Sequence, residues 1–382
     1  MKGFLKEIYG RVLFAFFRIF PLQDKVVFSS FWGKKYADNP KYISEMLEKL
    51  APEIKQVWLN NSESEFENVS SNIKCVKWGT VKMIYEMSTA KVWVDNHTKP
   101  CWIRKRKGQL YIETWHGGLG MKKIEADMGK NLKASSKRQI QYNSSIADLF
   151  ISNSTWLTQI YKRAFWYNGK ILECGYPKND ILFETQKHEQ IENKIKKYYK
   201  IDKNKKILLY APTYRGDPNF RYDINLEELY EKLNINKEEW IIMYKLHPTL
   251  INTRNNLSES VGKIIDVTKY NDIQELIISA NILITDYSSC IFDMAMLHKP
   301  AFIYASDMRE YIENRGLYFD IRELPFPFAE TNSKLIENIK NFNNEKYQKE
   351  LKKYFEKVGL KESGNAAKKI ADIIIDYIKN KN

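Results

Sequence analysis

A chain of 382 residues is longer than one ordinary domain and fits two. With 43% hydrophobic and 14% aromatic residues it has the material for two packed cores, which excludes disorder over most of its length. The 61 Lys and Arg against 47 Asp and Glu leave +14, pointing to an anionic partner; nucleic acid, an anionic membrane, a phosphate-rich substrate or merely solvated Lys-rich helices fit that excess.

The four cysteines, Cys75, Cys101, Cys174 and Cys290, lie far apart without a CxxC pair. That spacing speaks against a disulfide framework and a structural zinc site, and places the chain in a reducing cytoplasm. No small-residue cleavage site follows the first apolar stretch, and no window of about 18 uninterrupted apolar residues predicts a spanning helix. From Met1 to Phe20, the residues Phe4, Leu5, Ile8, Tyr9, Val12, Leu13, Phe16, Phe17 and Phe20 recur at helical spacing, interspersed with Lys2, Lys6, Arg11 and Arg18. An amphipathic, basic helix over 1–22 is expected. Its stripe could pack on the body of the protein, but its aromatic content and the basic balance favour a membrane interface.

After Pro21 the pattern alternates. Strands are predicted at 25–30, 54–60, 91–95, 109–115, 148–152 and 170–174, with helices at 40–50 and 81–87. A charged stretch over 186–206, with a helix at 189–199, then separates the halves. The alternation restarts with strands at 206–210, 240–246, 263–266, 282–285 and 300–304 and helices at 225–233, 273–279 and 289–297. Short apolar runs between helical segments indicate parallel βαβ units. The expected organisation is two Rossmann-like domains, 23–186 and 187–355, with an interdomain cleft. A helical, Lys-rich tail over 356–382 follows, in a region that Gly359 and Gly364 can interrupt.

Ligands of open α/β sheets sit beyond the carboxyl ends of the strands. In the second half those ends carry Thr213 and Arg215, Lys245 and His247, and Thr285-Asp286-Tyr287-Ser288-Ser289. The last segment runs from a strand into a helix start, where exposed amides, the dipole and the hydroxyls of Thr285, Ser288 and Ser289 suit a phosphate; an ordinary N-cap role for Ser288 is the alternative. In the first half the predicted strand QLYIETW ends at His116, followed by Gly117 and Gly118. A histidine there can serve as a general base near neutral pH, and the glycines allow a close approach. His97, at the end of the preceding strand, is a weaker acceptor-side candidate.

The segments Thr114–Gly117, Gly175–Asp180, Ala211–Arg215, Leu246–Pro248, Ile284–Ser289 and Arg315–Asp320 resemble, in order and spacing, the CDP-glycerol glycerophosphotransferase family of wall teichoic acid synthesis, which includes TagB- and TagF-type enzymes. The resemblance spans about residues 25 to 355 and implies an α/β, GT-B-like fold with the nucleotide donor held by the C-terminal domain. It implies His116 as the base on the acceptor hydroxyl and His247 against the donor pyrophosphate. Thr213, Arg215, Lys245, Thr285, Asp286, Ser288, Ser289 and Arg315 become donor- or phosphate-side residues. Gly117, Gly118 and His97 fall on the acceptor side. It further implies a CDP-polyol donor, a lipid-linked saccharide or polyol-phosphate acceptor, a peripheral place on the cytoplasmic face of the membrane, and no metal or cofactor.

Three departures stand out. His116 precedes Gly-Gly-Leu-Gly where polymerising members carry Gly-Thr-Pro. Lys178 replaces the Arg of GYPRND, and no long N-terminal extension is present. Glycerol phosphate is the leading group and ribitol phosphate the alternative. A GT-B glycosyltransferase taking a nucleotide-sugar would need Asp286 or Asp307 on the sugar hydroxyls. Nucleic acid is not expected as a partner, since the aromatics follow strand and core patterns.

Overall fold

The computed structural model describes residues 2–61, 66, 69–217, 219–234, 239–247, 250, 257 and 262–380. Met1, the side chains of Lys2, Phe4, Leu5 and Lys6 in the expected N-terminal stripe, and Pro248 lie outside the described residues. The chain forms two compact units: the first takes in 1–118, 124–180 and 359–382, the second 119–123 and 181–358.

The first unit contains β1 (Gln23–Ser29), β2 (Lys55–Asn60), β3 (Lys74–Lys77), β4 (Ala90–Asp95), β5 (Leu110–Glu113), β6 (Leu149–Ser152) and β7 (Lys170–Glu173). They form one sheet in the order β3-β2-β1-β4-β5-β6-β7, with every neighbouring pair parallel. The second unit contains β8 (Lys206–Tyr210), β9 (Trp240–Tyr244), β10 (Ile264–Asp266), β11 (Ile282–Thr285), β12 (Ala301–Tyr304) and β13 (Phe328–Ala329), again all parallel, in the order β10-β9-β8-β11-β12-β13. Both are doubly wound Rossmann-like sheets that reverse direction beside their first strand. The helices are α1 (Lys2–Phe17), α2 (Asp38–Leu50), α3 (Val81–Thr89), α4 (Ala134–Ile146), α5 (Thr155–Ala164), α6 (His188–Tyr198), α7 (Leu226–Leu233), α8 (Ile273–Ser279), α9 (Cys290–Met296), α10 (Met308–Arg315), α11 (Asn332–Lys340), α12 (Asn344–Val358) and α13 (Ala366–Lys379).

The central strands form where apolar runs are buried on both faces, as parallel sheets require. Even Lys25, at the head of the KVVFS run, is buried; its ammonium meets Glu86 at 2.5 Å and Thr89 at 2.6 Å. A buried charge is tolerable only when paired in this way. The edge strand β3, Lys-Cys-Val-Lys, turns only Val76 inward and so lacks the apolar run that announces a strand. Side chains of Thr80, Ser154, Asn225, Asp272 and Thr331 accept backbone N–H bonds at the starts of α3, α5, α7, α8 and α11.

The N-terminal helix forms, but apolar residues occupy both of its faces. Phe14 is buried, and Phe17 packs edge-on against Tyr85 at 5.5 Å. A Cβ on Gly10 would lie 2.9 Å from the Trp102 ring, so the helix seats closely there. The opposite stripe, Ile8, Val12 and Phe16, stays 44–60% exposed, as does Ile19 just beyond the helix at 69%. The inner face is therefore packed on the first unit, and the outer one is apolar without being covered by it. No helix among the described residues is long and apolar enough to cross a membrane.

The end of the chain returns to the first unit. Gly359 and Gly364 both adopt positive φ, separating α12 from α13 where the sequence reading allowed a break. Glu362 then accepts hydrogen bonds from Asn153 Nδ2, the Tyr176 amide and Asn179 Nδ2 at 2.8–3.0 Å. The Asp180 carboxylate accepts the amides of Ala366 and Ala367 at 2.9 and 2.7 Å, capping α13, whose Ile370, Ile374 and Ile378 are buried in contact with α2. The two units part after Asp180, where 186 was expected, and of the C-terminal helical region expected over 356–382 the part from Gly359 onward returns to the first unit, where Asp180 and Glu362 hold it. Replacing Asp180 with Ala leaves two buried amides without an acceptor, each unmet group costing about 1–3 kcal/mol. Urea denaturation should show that loss for Asp180→Ala, with a smaller one for Asp180→Asn; a wild-type midpoint for both variants would mean the cap contributes nothing.

Candidate active site

In a doubly wound sheet the crevice lies beyond the carboxyl ends of the two strands whose crossovers diverge. In the first unit these are β1 and β4, and the next strand, β5, flanks them. They deliver Phe31 and Trp32, His97, and Trp115 and His116 to one cluster. His97 and His116 stack at 4.9 Å, Trp32 lies 3.6 Å from His97, and Trp115 and Phe31 lie 4.3 and 5.4 Å from His116.

His116 Nδ1 sits 2.9 Å from the carbonyl oxygen of Asn96. A carbonyl can only accept, so this bond puts the proton on Nδ1 and the ring lone pair on Nε2. His97 is different. Burial, reinforced by the neighbouring His116 and by Lys34 and Lys99, pushes its pKa down to about 2, so it stays neutral, and its buried Nδ1 has no hydrogen-bond partner.

Two buried carboxylates support the loops from below. Asp95, ion-paired with Lys99, accepts the His97 amide at 3.0 Å, and Glu113 accepts the Trp115 amide at 3.0 Å. Burial and the Asp95 charge raise the Glu113 carboxyl to about 7, against the hydrogen bonds from Tyr111 and Asn143. Asn39 ties the Trp115 carbonyl to the Lys178 amide, both at 3.1 Å, and the hydroxyls of Tyr161 and Tyr176 donate to the Gly117 carbonyl at 2.9 and 3.0 Å. Gly118 makes room for the protein itself: a Cβ there would lie 3.1 Å from Asn153 Nδ2, whereas one on Gly117 would meet only the Trp115 ring at 3.5 Å. Phe31, Trp32, Asp38 and Trp115 have φ of 49–62°, four of the eight left-handed non-glycine residues among those described. Such strain persists only where surrounding contacts over-determine it.

In the second unit the diverging strands are β8 and β11, and a cavity of about 740 Å³ opens at their ends. Thr213, Arg215, Lys245, His247, Ser288 and Arg315 all line it, whereas Thr285, Asp286 and Ser289 do not. Thr285 is buried with its hydroxyl donated to the Ala211 carbonyl at 2.6 Å. Asp286 accepts the Thr213 and Tyr287 amides and pairs with Arg215 at 2.8 Å. Arg215 also forks onto Asp307 at 2.6 and 3.1 Å and lies 4.9–5.1 Å from the rings of Phe220, Tyr287 and Tyr311. Burial works against its charge, yet Asp286 and Asp307 hold its pKa above the ordinary value. Arg215 and Asp286 therefore serve each other first. The Lys245 ammonium reaches the carbonyls of Thr268 and Tyr270, and His247 stacks on Tyr214 at 5.0 Å. Ser289 precedes a helix of only seven residues and makes no side-chain cap bond.

Lys122 is the residue that sequence reasoning missed. The short segment 119–123 belongs to the second unit, held by the Lys123 amide on the Gly316 carbonyl (3.1 Å), the Tyr318 amide on the Met121 carbonyl (2.7 Å) and a Lys122–Leu317 bridge. The RGLYFD segment is thus the dock for this loop, and the loop places Lys122 in the cavity wall with Arg315. The pair Lys122-Lys123 after the glycines was the signal available, but no periodicity marks it.

The family model for CDP-glycerol:poly(glycerophosphate) glycerophosphotransferase matches residues 12–376. A teichoic acid poly(glycerol phosphate) polymerase of Bacillus spizizenii is 32% identical over 98% of this chain and 98% of its own length. That of Staphylococcus epidermidis is 32% identical over 93% of this chain, which spans about half (51%) of that relative. The solved structure of the wall teichoic acid polymerase TagF superimposes with a TM-score of 0.87 at 29% identity, over 99% of this chain and 97% of that one. With the family model covering nearly the whole sequence and both sheets matched by that structure, the chain belongs to the CDP-glycerol:poly(glycerophosphate) glycerophosphotransferase family.

Proposed function

We propose that the chain transfers glycerol phosphate from CDP-glycerol to a hydroxyl of a lipid-linked acceptor in the synthesis of a teichoic acid or related cell-surface polymer. The acceptor oxygen attacks the phosphorus that bears glycerol, its proton passes to His116 Nε2, and the P–O bond to CMP breaks. The observation that carries this reading is the His116–Asn96 hydrogen bond, which leaves the Nε2 lone pair as base at a strand end. The cavity of the second unit, with Lys122, Arg315, Thr213, Ser288 and His247 in its wall, is the proposed donor seat. Charge there is met by side-chain cations and hydroxyls in a preorganised pocket, the main contribution a protein makes to phosphoryl transfer.

Glycerol is preferred to ribitol because the family description and both polymerase relatives name glycerol phosphate. A nucleotide-sugar donor is disfavoured: Asp286 and Asp307, the carboxylates such a reaction would need, are engaged by Arg215. Incubation with CDP-glycerol and CDP-ribitol separately, with lipid-linked acceptors and mass analysis of the products, decides among the three. His116→Ala should lower transfer about 10²–10⁴-fold, the usual contribution of a positioned base, while CDP binding measured by calorimetry stays near wild type. Unchanged turnover would remove His116 as the base.

The outer stripe of α1 is the proposed contact with the cytoplasmic face of the membrane, which makes the protein peripheral. Ile8, Val12, Phe16 and Ile19 would enter the interface, and Arg11 and Arg138, 54% and 67% exposed, would meet anionic headgroups. Deleting the helix would also strip Phe14 from the core, so substitution is the cleaner test. Replacing the four outer residues with Ser should weaken binding to anionic vesicles at least tenfold at an unchanged melting temperature, since each buried side chain contributes about 1.5–3 kcal/mol. Equal vesicle binding by both proteins would leave the stripe without this role.

A further inference from the structure

We propose that Lys122 is a catalytic residue: its ammonium, with Arg315 and the Thr213 hydroxyl, seats the diphosphate oxygens of the donor and carries the charge released as CMP leaves. The assignment rests on the donor reading given above and adds a residue to it.

The geometry argues from what is left over. The cavity's carboxylates Asp217, Asp307 and Glu310, with Asp286 behind them, match its cations in number. Arg215 is consumed by two of those carboxylates, and the Lys245 ammonium is turned to two backbone carbonyls. Lys122 and Arg315, by contrast, take no side-chain hydrogen bond or ion pair among the described residues, although both line the cavity. The Thr213 hydroxyl is buried without a partner, in a residue only 9% exposed that lines the same cavity. Two uncommitted cations and an unmet hydroxyl lining one cavity are what a diphosphate would satisfy. A lysine offers three N–H donors and a compact charge, which suits an oxygen whose charge grows as the P–O bond breaks. The Lys122 backbone is fixed by the bridge to Leu317, so its position does not depend on the side chain.

The surroundings also make this cation adjustable. Burial lowers the Lys122 pKa to about 8; Asp286 and Cys290 oppose that, and Arg315 and Arg215 add to it. The free protein therefore loses this charge as pH rises through about 8, while a bound diphosphate restores it. A limb of that kind should appear in kcat/KM for the donor and be absent, or moved upward, in kcat.

The test uses the full-length protein with CDP-glycerol and a lipid-linked acceptor between pH 6.5 and 9.5. Wild type should lose kcat/KM above about pH 8. Lys122→Arg, which stays charged throughout, should keep it. Lys122→Ala should fold with a wild-type melting temperature and lose at least 100-fold in kcat/KM at pH 7. An alkaline limb unchanged in Lys122→Arg, or a kcat/KM within threefold of wild type in Lys122→Ala, overturns the proposal. Calorimetry with CDP and with inorganic pyrophosphate separates the two levels of inference. If wild type fails to turn over CDP-glycerol but Lys122→Ala binds pyrophosphate tenfold more weakly, the donor reading fails and the anion seat stands. Equal pyrophosphate binding by the two proteins removes Lys122 itself.

Discussion

Each sheet reverses direction at its first strand, and the rest of the molecule is organised around that reversal. Parallel strands need crossovers, and right-handed crossovers leaving β1 and β4, or β8 and β11, in opposite directions cannot both cover the gap at the strand ends. Backbone amides, carbonyls and the first loop side chains are exposed there by topology alone. His97 and His116 occupy that gap or the strand beside it in one unit, and the cavity with Lys122, Thr213 and Arg315 occupies it in the other.

Filling a gap of this kind with polar groups requires support that contributes little to stability. Asp95 with Lys99, and Asp286 with Arg215 and Asp307, are buried or half-buried ion clusters whose desolvation offsets much of their attraction. What they supply is position. Each carboxylate that lies under a loop also accepts a loop amide: His97 on Asp95, Trp115 on Glu113, Thr213 on Asp286. The same loops contain the strained residues Phe31, Trp32 and Trp115. Strain and buried charge therefore coincide at the residues nearest His116.

The fold was legible because buried parallel strands are short apolar runs, and KVVFS, KILLY and ILIT announce themselves. His116 was legible too, as a histidine at a strand end before two glycines. The reasons for its neighbours were not. Gly118 is small because Tyr176 and Asn153 lean on it, and the GYPKND segment turns Tyr176, Asn179 and Asp180 to the loop after His116 and to the returning tail. Hydrogen bonds of that segment join residues 59 to 186 positions apart, beyond any local pattern. That Arg215, which lines the cavity as expected of a phosphate-side residue, also pairs with Asp307 was not legible, since Asp307 lies 92 residues away. Lys122 escaped notice for the converse reason: it sits in an irregular loop, and only the backbone pairing with Gly316–Tyr318 gives it an address.

The two sites solve opposite electrostatic problems. Two imidazoles stacked at 4.9 Å would repel if both were protonated, and burial removes the conflict by keeping His97 neutral, with a pKa near 2. In the proposed transfer the abstracted proton then has a single destination, His116 Nε2, because Nδ1 already donates to the Asn96 carbonyl. In the proposed donor cavity the need is for positive charge that survives burial. Arg215 keeps its charge but spends it on Asp286 and Asp307; among the described residues Lys122 and Arg315 remain uncommitted in the wall, and of these two Lys122 has the lowered pKa that lets its charge respond to what enters the cavity. A permanent charge builds the wall and an adjustable one meets the ligand; exchanging the two would leave the carboxylates unneutralised whenever the lysine lost its proton.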